Sequence, residues 1–85
     1  MPIFLLTPRA LHDHHWAMTT RRTPVQIEAL NEQEARNRAA LRYSLVLRNE
    51  RSLGAFAWRM SSLVSAQVVD TVDPKVELIP SEAAG

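Results

Sequence analysis

The apolar positions of this chain fall into short blocks of differing period. Ile3, Phe4, Leu5 and Leu6 make a continuous apolar run closed by Thr7 and Pro8, which suits a buried strand that the proline ends. From Arg9 to Thr23 no period is visible, and polar residues surround Leu11 and Trp16, so this stretch reads as a long ordered loop. At Pro24 the pattern changes. Val25, Ile27 and Ala29 alternate with Gln26 and Glu28, as in a half-buried strand with one solvated face.

The strongest local signal follows. Asn31 with Glu34 three residues on is close to a capping box, and Leu30 stands where it can staple onto Ala35, so a helix starts at Asn31. Glu32 with Arg36 and Glu34 with Arg38 are i, i+4 pairs in the favourable orientation, each worth about 0.2–0.5 kcal/mol. At 100° per residue, Ala35, Ala39, Ala40, Tyr43, Val46 and Leu47 share one stripe, whose small alanines let the helix lie close to a sheet. Leu41 and Leu45 project to the far side. Either the helix stops near Tyr43 or that second face meets something else.

Asn49 to Gly54 reads as a turn, and Ala55 to Met60 as a second apolar patch centred on Phe56 and Trp58. Leu63 to Asp70 is a strand, with Val64, Ala66 and Val68 on one face and Ser65, Gln67 and Val69 on the other. Asp73-Pro74 marks a turn before a short last strand, Val76 to Ile79. The expected fold is α+β in the order β-β-α-β-β: one main helix packed on a small, mainly antiparallel four-stranded sheet. Residues 1–80 form the single domain, and 81–85 a flexible tail.

Composition narrows the function classes. A chain of 85 residues supports one core. Its formal charge of +1 excludes both a strongly basic nucleic-acid binder and a strongly acidic nucleic-acid mimic. The near-neutrality conceals an asymmetry of +4 up to Met60 and −3 beyond it. Nine of the ten cations are arginine. Without cysteine there is no disulfide framework and no thiolate ligand or nucleophile, so the expected compartment is the cytoplasm. No apolar run approaches the roughly 18–20 residues of a membrane span, and the N-terminus lacks the basic region and cleavage site of a signal peptide.

The spaced residues Leu6-Thr7-Pro8, Leu11, Asp13, Trp16, Thr20, Pro24-Val25, Ala29, Glu34-Ala35-Arg36 and Ala39-Ala40, continued by Trp58 and Leu63-Val64, form a pattern. It resembles that of a loose group of small bacterial proteins, often from alphaproteobacteria and their prophages. The likeness touches about half the positions between Phe4 and Asp70. It departs after Trp58, where those proteins often carry Asp-Pro and this chain has Met60 and Ser61. Size and prophage character are also similar to those of anti-CRISPR proteins acting on type I surveillance complexes. That likeness implies a non-enzymatic inhibitor occupying a surface of its target, in the host cytoplasm if phage-encoded.

Candidate chemistry is sparse. His12, Asp13, His14 and His15 are the one dense set of metal-ligand types, yet a site needs three or four ligands in fixed geometry; a loop capped by Asp13 and anchored by Trp16 accounts for them more simply. A metal shared across a dimer is the alternative. The serines lie outside any Gly-x-Ser-x-Gly elbow, and two glycines are too few for a phosphate-cradling loop. The expectation is a protein with no enzymatic role and no cofactor. Arg36, Arg38, Arg42, Arg48 and Arg51 lie on or just after the helix, and Arg21 and Arg22 precede the second strand. If they converge, they make a face for phosphates or an acidic protein surface. Arg36 falls within the apolar stripe, from which it reaches Asp13 or snorkels past the sheet edge. Ala55 to Met60 has the composition of interface hot spots.

The residues expected to contact a protein partner are Arg38, Arg42, Arg48, Phe56 and Arg59. The second reading is a nucleic-acid-binding or regulatory module using the arginine face. The third is a homodimer, held through Leu41, Leu45 and the Ala55 to Met60 patch or through an exposed strand edge.

Overall fold

A computed structural model describes residues 1–43 and 57–81. Along the chain run β1 (Ile3–Pro8), a 3-10 helix (His14–Met18), β2 (Val25–Glu28), α1 (Glu32–Tyr43), β3 (Val64–Val69) and β4 (Leu78–Ile79). The expected turn at Asn49 to Gly54, the positions Leu45, Val46 and Leu47, and the site candidates Arg48 and Phe56 lie outside the described residues.

β1 is central because its alternation serves both neighbours. Phe4 stands beside Ile27 of β2 and Val68 of β3, and Leu6 stands beside Val25 and Ala66, so one face of three strands is apolar throughout. Both pairings are antiparallel. The fourth strand runs parallel to β2, and the order across the sheet is β3-β1-β2-β4. The result is an α+β fold with one main helix on a mostly antiparallel four-stranded sheet among the described residues.

The start of α1 follows the local signal. Asn31 Oδ1 accepts the Glu34 backbone N–H at 2.8 Å, satisfying one of the orphan donors of the first turn. Leu30 remains 64% exposed, so the expected staple onto Ala35 does not bury it. Ala35, Ala39, Ala40 and Tyr43 are buried as the stripe requires. At the other end the Tyr43 carbonyl accepts the Thr20 backbone N–H at 2.7 Å and the Thr19 hydroxyl at 2.8 Å. The same Thr19 oxygen accepts the Trp58 indole N–H at 3.1 Å. One threonine thus ties the loop before β2 to both flanks of the core.

Four expectations change. The stretch from Arg9 to Thr23 carries a 3-10 helix because Asp13 Oδ1 accepts the His15 backbone N–H at 2.9 Å and starts it, while Trp16 sinks to full burial beneath. The indole of Trp16 donates to the Arg9 carbonyl and meets Trp58 edge-on, centroids 5.5 Å apart. Second, the far face of β2 is not solvated at Gln26, which is buried. Its side-chain amide donates to the carbonyls of Asp73 and Val76, and its Oε1 accepts the Asp73 N–H, so the turn before β4 closes over it. The last strand is shorter than the predicted Val76 to Ile79, and Ser81, read as tail, is buried with its N–H donated to Glu28 Oε1.

Candidate interaction surface

The arginines of α1 divide by the side of the helix they leave. Arg36, 6% exposed, turns toward β3: Nη2 donates to the Val64 carbonyl at 2.8 Å, Nη1 to the Trp58 carbonyl at 3.4 Å, and Nε to Glu32 Oε2 at 3.0 Å. The predicted Glu32–Arg36 pair therefore forms, whereas the expected reach to Asp13 gives way to two backbone carbonyls. Arg38 turns toward the opposite edge. Its Nη1 donates to the Glu28 carbonyl and its Nη2 to the Pro80 carbonyl at 2.6 Å, in place of the predicted pair with Glu34. The two guanidiniums strap the helix across the sheet, each meeting backbone acceptors that strand pairing leaves free.

One turn further on, Arg42 stands over the Tyr43 ring, 5.9 Å from its centroid, with Nη2 3.6 Å from Glu77 Oε1. Arg21 approaches the same ring to 5.5 Å and pairs with the other oxygen of Glu77. Arg21 also donates to the Pro24 carbonyl at 2.9 Å, which fixes its stem. The expected convergence of the loop and helix arginines thus occurs for Arg21 and Arg42, around one aromatic ring and one shared carboxylate.

Beside this cluster, Arg38, Leu41, Arg42 and Ile79 line an open groove of ≈ 270 Å³. Leu41 is 57% exposed, which answers the question its position raised: this flank of α1 is not covered by the sheet. Of the five predicted contact residues, the fold brings Arg38 and Arg42 together in this groove. Arg59 does not line it; its Nε donates to Asn37 Oδ1 at 3.1 Å. Ile79 was legible only as a strand residue, since nothing local relates it to a helix some forty positions earlier.

Asp13, His14 and His15 form a separate group with ligand-type atoms within 4.8 Å of one another; His12 is not part of it. Asp13 Oδ1 lies 2.6 Å from His15 Nδ1 and 3.6 Å from His14 Nδ1, and the centroids of the two imidazoles are 4.2 Å apart with the rings tilted by 37°. The backbone N–H of His15, then its ring, hold the Asp13 carboxyl below the ordinary carboxylate value. These contacts make the group a helix-start device, with one imidazole, His14, turned to solvent.

No protein-family model, curated protein or solved structure matches the chain.

Proposed function

We propose that this protein is a small non-enzymatic inhibitor that binds a protein target through the Arg38–Leu41–Arg42–Ile79 groove and acts by occupying a surface. Leu41 carries the reading. It is a large apolar side chain, 57% exposed, in an open groove whose cationic rim is Arg42. Its neighbours Arg42, beside it in the groove, and Tyr43, whose ring lies under Arg42, are of the types enriched at binding hot spots. Arg38 contributes a wall, because its guanidinium is occupied by the Glu28 and Pro80 carbonyls; Arg42 contributes charge. Arg59, and Arg48 and Phe56 outside the described residues, extend the candidate surface on the sequence argument.

The resemblance to prophage proteins supplies the narrower reading, a phage-encoded inhibitor of a type I CRISPR surveillance complex. A nucleic-acid-binding module is less well supported. Arg21 and Arg42 are both held by Glu77, and the donors of Arg36 and Arg38 are taken up by backbone carbonyls, which leaves few free guanidinium donors for phosphate oxygens.

The test is gel filtration of a purified type I surveillance complex titrated with the wild-type protein and with Leu41→Asp/Arg42→Glu. Co-elution of the wild type and its loss in the double variant is the expected result. No co-elution of the wild type overturns the CRISPR reading. Binding to a random DNA duplex at low salt that falls steeply as salt rises overturns the protein-binding mode in favour of phosphate recognition.

A further inference from the structure

The two edges of the sheet are built differently. At one edge β4 is only Leu78–Ile79 and is followed at once by Pro80, a short, proline-ended strand of the kind that discourages further pairing. At the other edge β3 runs for six residues, Val64-Ser65-Ala66-Gln67-Val68-Val69, without a charge or a proline. Its register with β1 is unbroken from Ile3↔Val69 to Pro8↔Val64, so no bulge bends it away.

The hydrogen bonds identify which backbone groups face outward. Pro8 has no N–H to give Val64, and Val64 spends its N–H on the Met60 carbonyl and its C=O on Arg36. Val64↔Pro8 is therefore a non-hydrogen-bonded pair of the antiparallel ladder. Because such pairs alternate with hydrogen-bonded ones, Ala66 and Val68 also turn their N–H and C=O groups away from β1. The outward groups of Val64 are already capped, so those of Ala66 and Val68 are what the strand offers. No strand pairs with this edge among the described residues. Val68 is 56% exposed, although it shares a face with the buried Phe4 and Leu6.

We propose that two copies of this chain pair antiparallel through their β3 edges, with the two-fold axis at Gln67. In that register Ala66 of one copy stands opposite Val68 of the other, and the two symmetric pairs exchange four N–H···O=C bonds, using every outward group that Ala66 and Val68 present. The exposed Val68 side chain then lies against Ala66 across the junction, on the core face. The occupant is a second copy because the two-fold register sets the small Ala66 of each chain opposite the 56%-exposed Val68 of the other, covering both valines without a clash. The uncharged strand also places no like charges opposite one another. The product is one continuous eight-stranded sheet, with the Arg38–Leu41–Arg42–Ile79 groove of each copy at its far, β4 end.

The experiment is light scattering coupled to gel filtration on the full chain across a concentration series, with amide hydrogen exchange on the same samples. The expected mass at high concentration is twice the 9.6 kDa of one chain. Val68→Lys should raise the dissociation constant at least tenfold while leaving the circular dichroism spectrum unchanged. Val68→Pro, which deletes one outward N–H that β1 does not use, is a second variant expected to do the same. In the dimer the Ala66 and Val68 amides gain protection that dilution removes, whereas the Ser65, Gln67 and Val69 amides stay protected at every concentration. A monomer mass throughout overturns the proposal, as does a dimer that a folded Val68→Lys chain still forms. Pairing of this edge with an unrelated peptide strand while the chain alone remains monomeric also overturns it.

Discussion

Arg36 shows how a single side chain is reassigned by its surroundings. Its sequence position puts a cation in an apolar stripe, and the fold resolves the conflict by giving the guanidinium three acceptors: the Glu32 carboxylate and the carbonyls of Trp58 and Val64. Replacing it with methionine keeps the apolar stem but leaves two buried carbonyls without donors. Arg36→Met should cost about 2–4 kcal/mol, read as a lowered urea midpoint at unchanged slope. A loss below about 0.5 kcal/mol would mean that water replaces the guanidinium and that the strap is not structural. Asp13 gives a pH signature. Its folded-state pKa is held below the ordinary 3.8, first by the His15 backbone N–H and then by the His15 ring, so the stability it contributes is complete above that value. That contribution is lost as pH falls through the lower folded-state value. Asp13→Asn keeps an oxygen for the cap and removes the charge. The stability gap between the wild type and this variant should be present at neutral pH and close below pH 3.8 in acid-denaturation curves; a gap that persists unchanged into strong acid contradicts the assignment.

At the scale of the element, α1 illustrates why small residues matter under a helix. Ala35, Ala39 and Ala40 are fully buried, so the helix axis lies close enough to the sheet for Arg36 and Arg38 to reach the backbone on either side. A larger side chain has no room there. Ala39→Leu should cost about 1–3 kcal/mol by overpacking, whereas Leu41→Asp, two residues on and facing solvent, should stay within about 0.5 kcal/mol of the wild type. Thermal unfolding distinguishes the two, since in a domain of this size each kcal/mol shifts the melting temperature by roughly 4–8 °C. Equal effects would place Leu41 in the core and remove it from the candidate surface. The strands show a similar division. β1 and β3 run close to their expected positions because β1 is a continuous apolar run closed by Pro8 and β3 alternates Val64, Ala66 and Val68 with Ser65 and Gln67. β4 is cut to two residues, and its neighbour β2 is covered on its far face, because one buried glutamine fastens the intervening turn.

For the molecule as a whole, the asymmetry of charge along the chain acquires a geometry. The positive N-terminal part and the negative C-terminal part meet where Glu77 lies between Arg21 and Arg42, so charges that oppose each other in sequence are neighbours in the fold. What remains open on that side is a groove lined by Arg38, Leu41, Arg42 and Ile79, with a partly compensated cationic rim. The β3 edge lies at the other end of the sheet. The proposed partner binding and the proposed self-association therefore draw on different surfaces, and such a dimer would present two grooves to one target, raising its effective affinity wherever both can engage.

Features that depend on residues a few positions apart are legible from the chain alone. The helix start at Asn31, the apolar run of β1, the alternation of β3 and the turn at Asp73-Pro74 each follow from residues within about one turn or one strand. The α+β class followed from counting such elements. Tertiary structure decided what depends on distant partners: the burial of Gln26 by a segment 47 residues away, the pairing of β2 with a parallel β4, and the attachment of Arg38 to a carbonyl 42 residues on. No local pattern records these, because a guanidinium or an amide is indifferent to sequence and bonds whichever unpaired backbone groups the packed core leaves within reach.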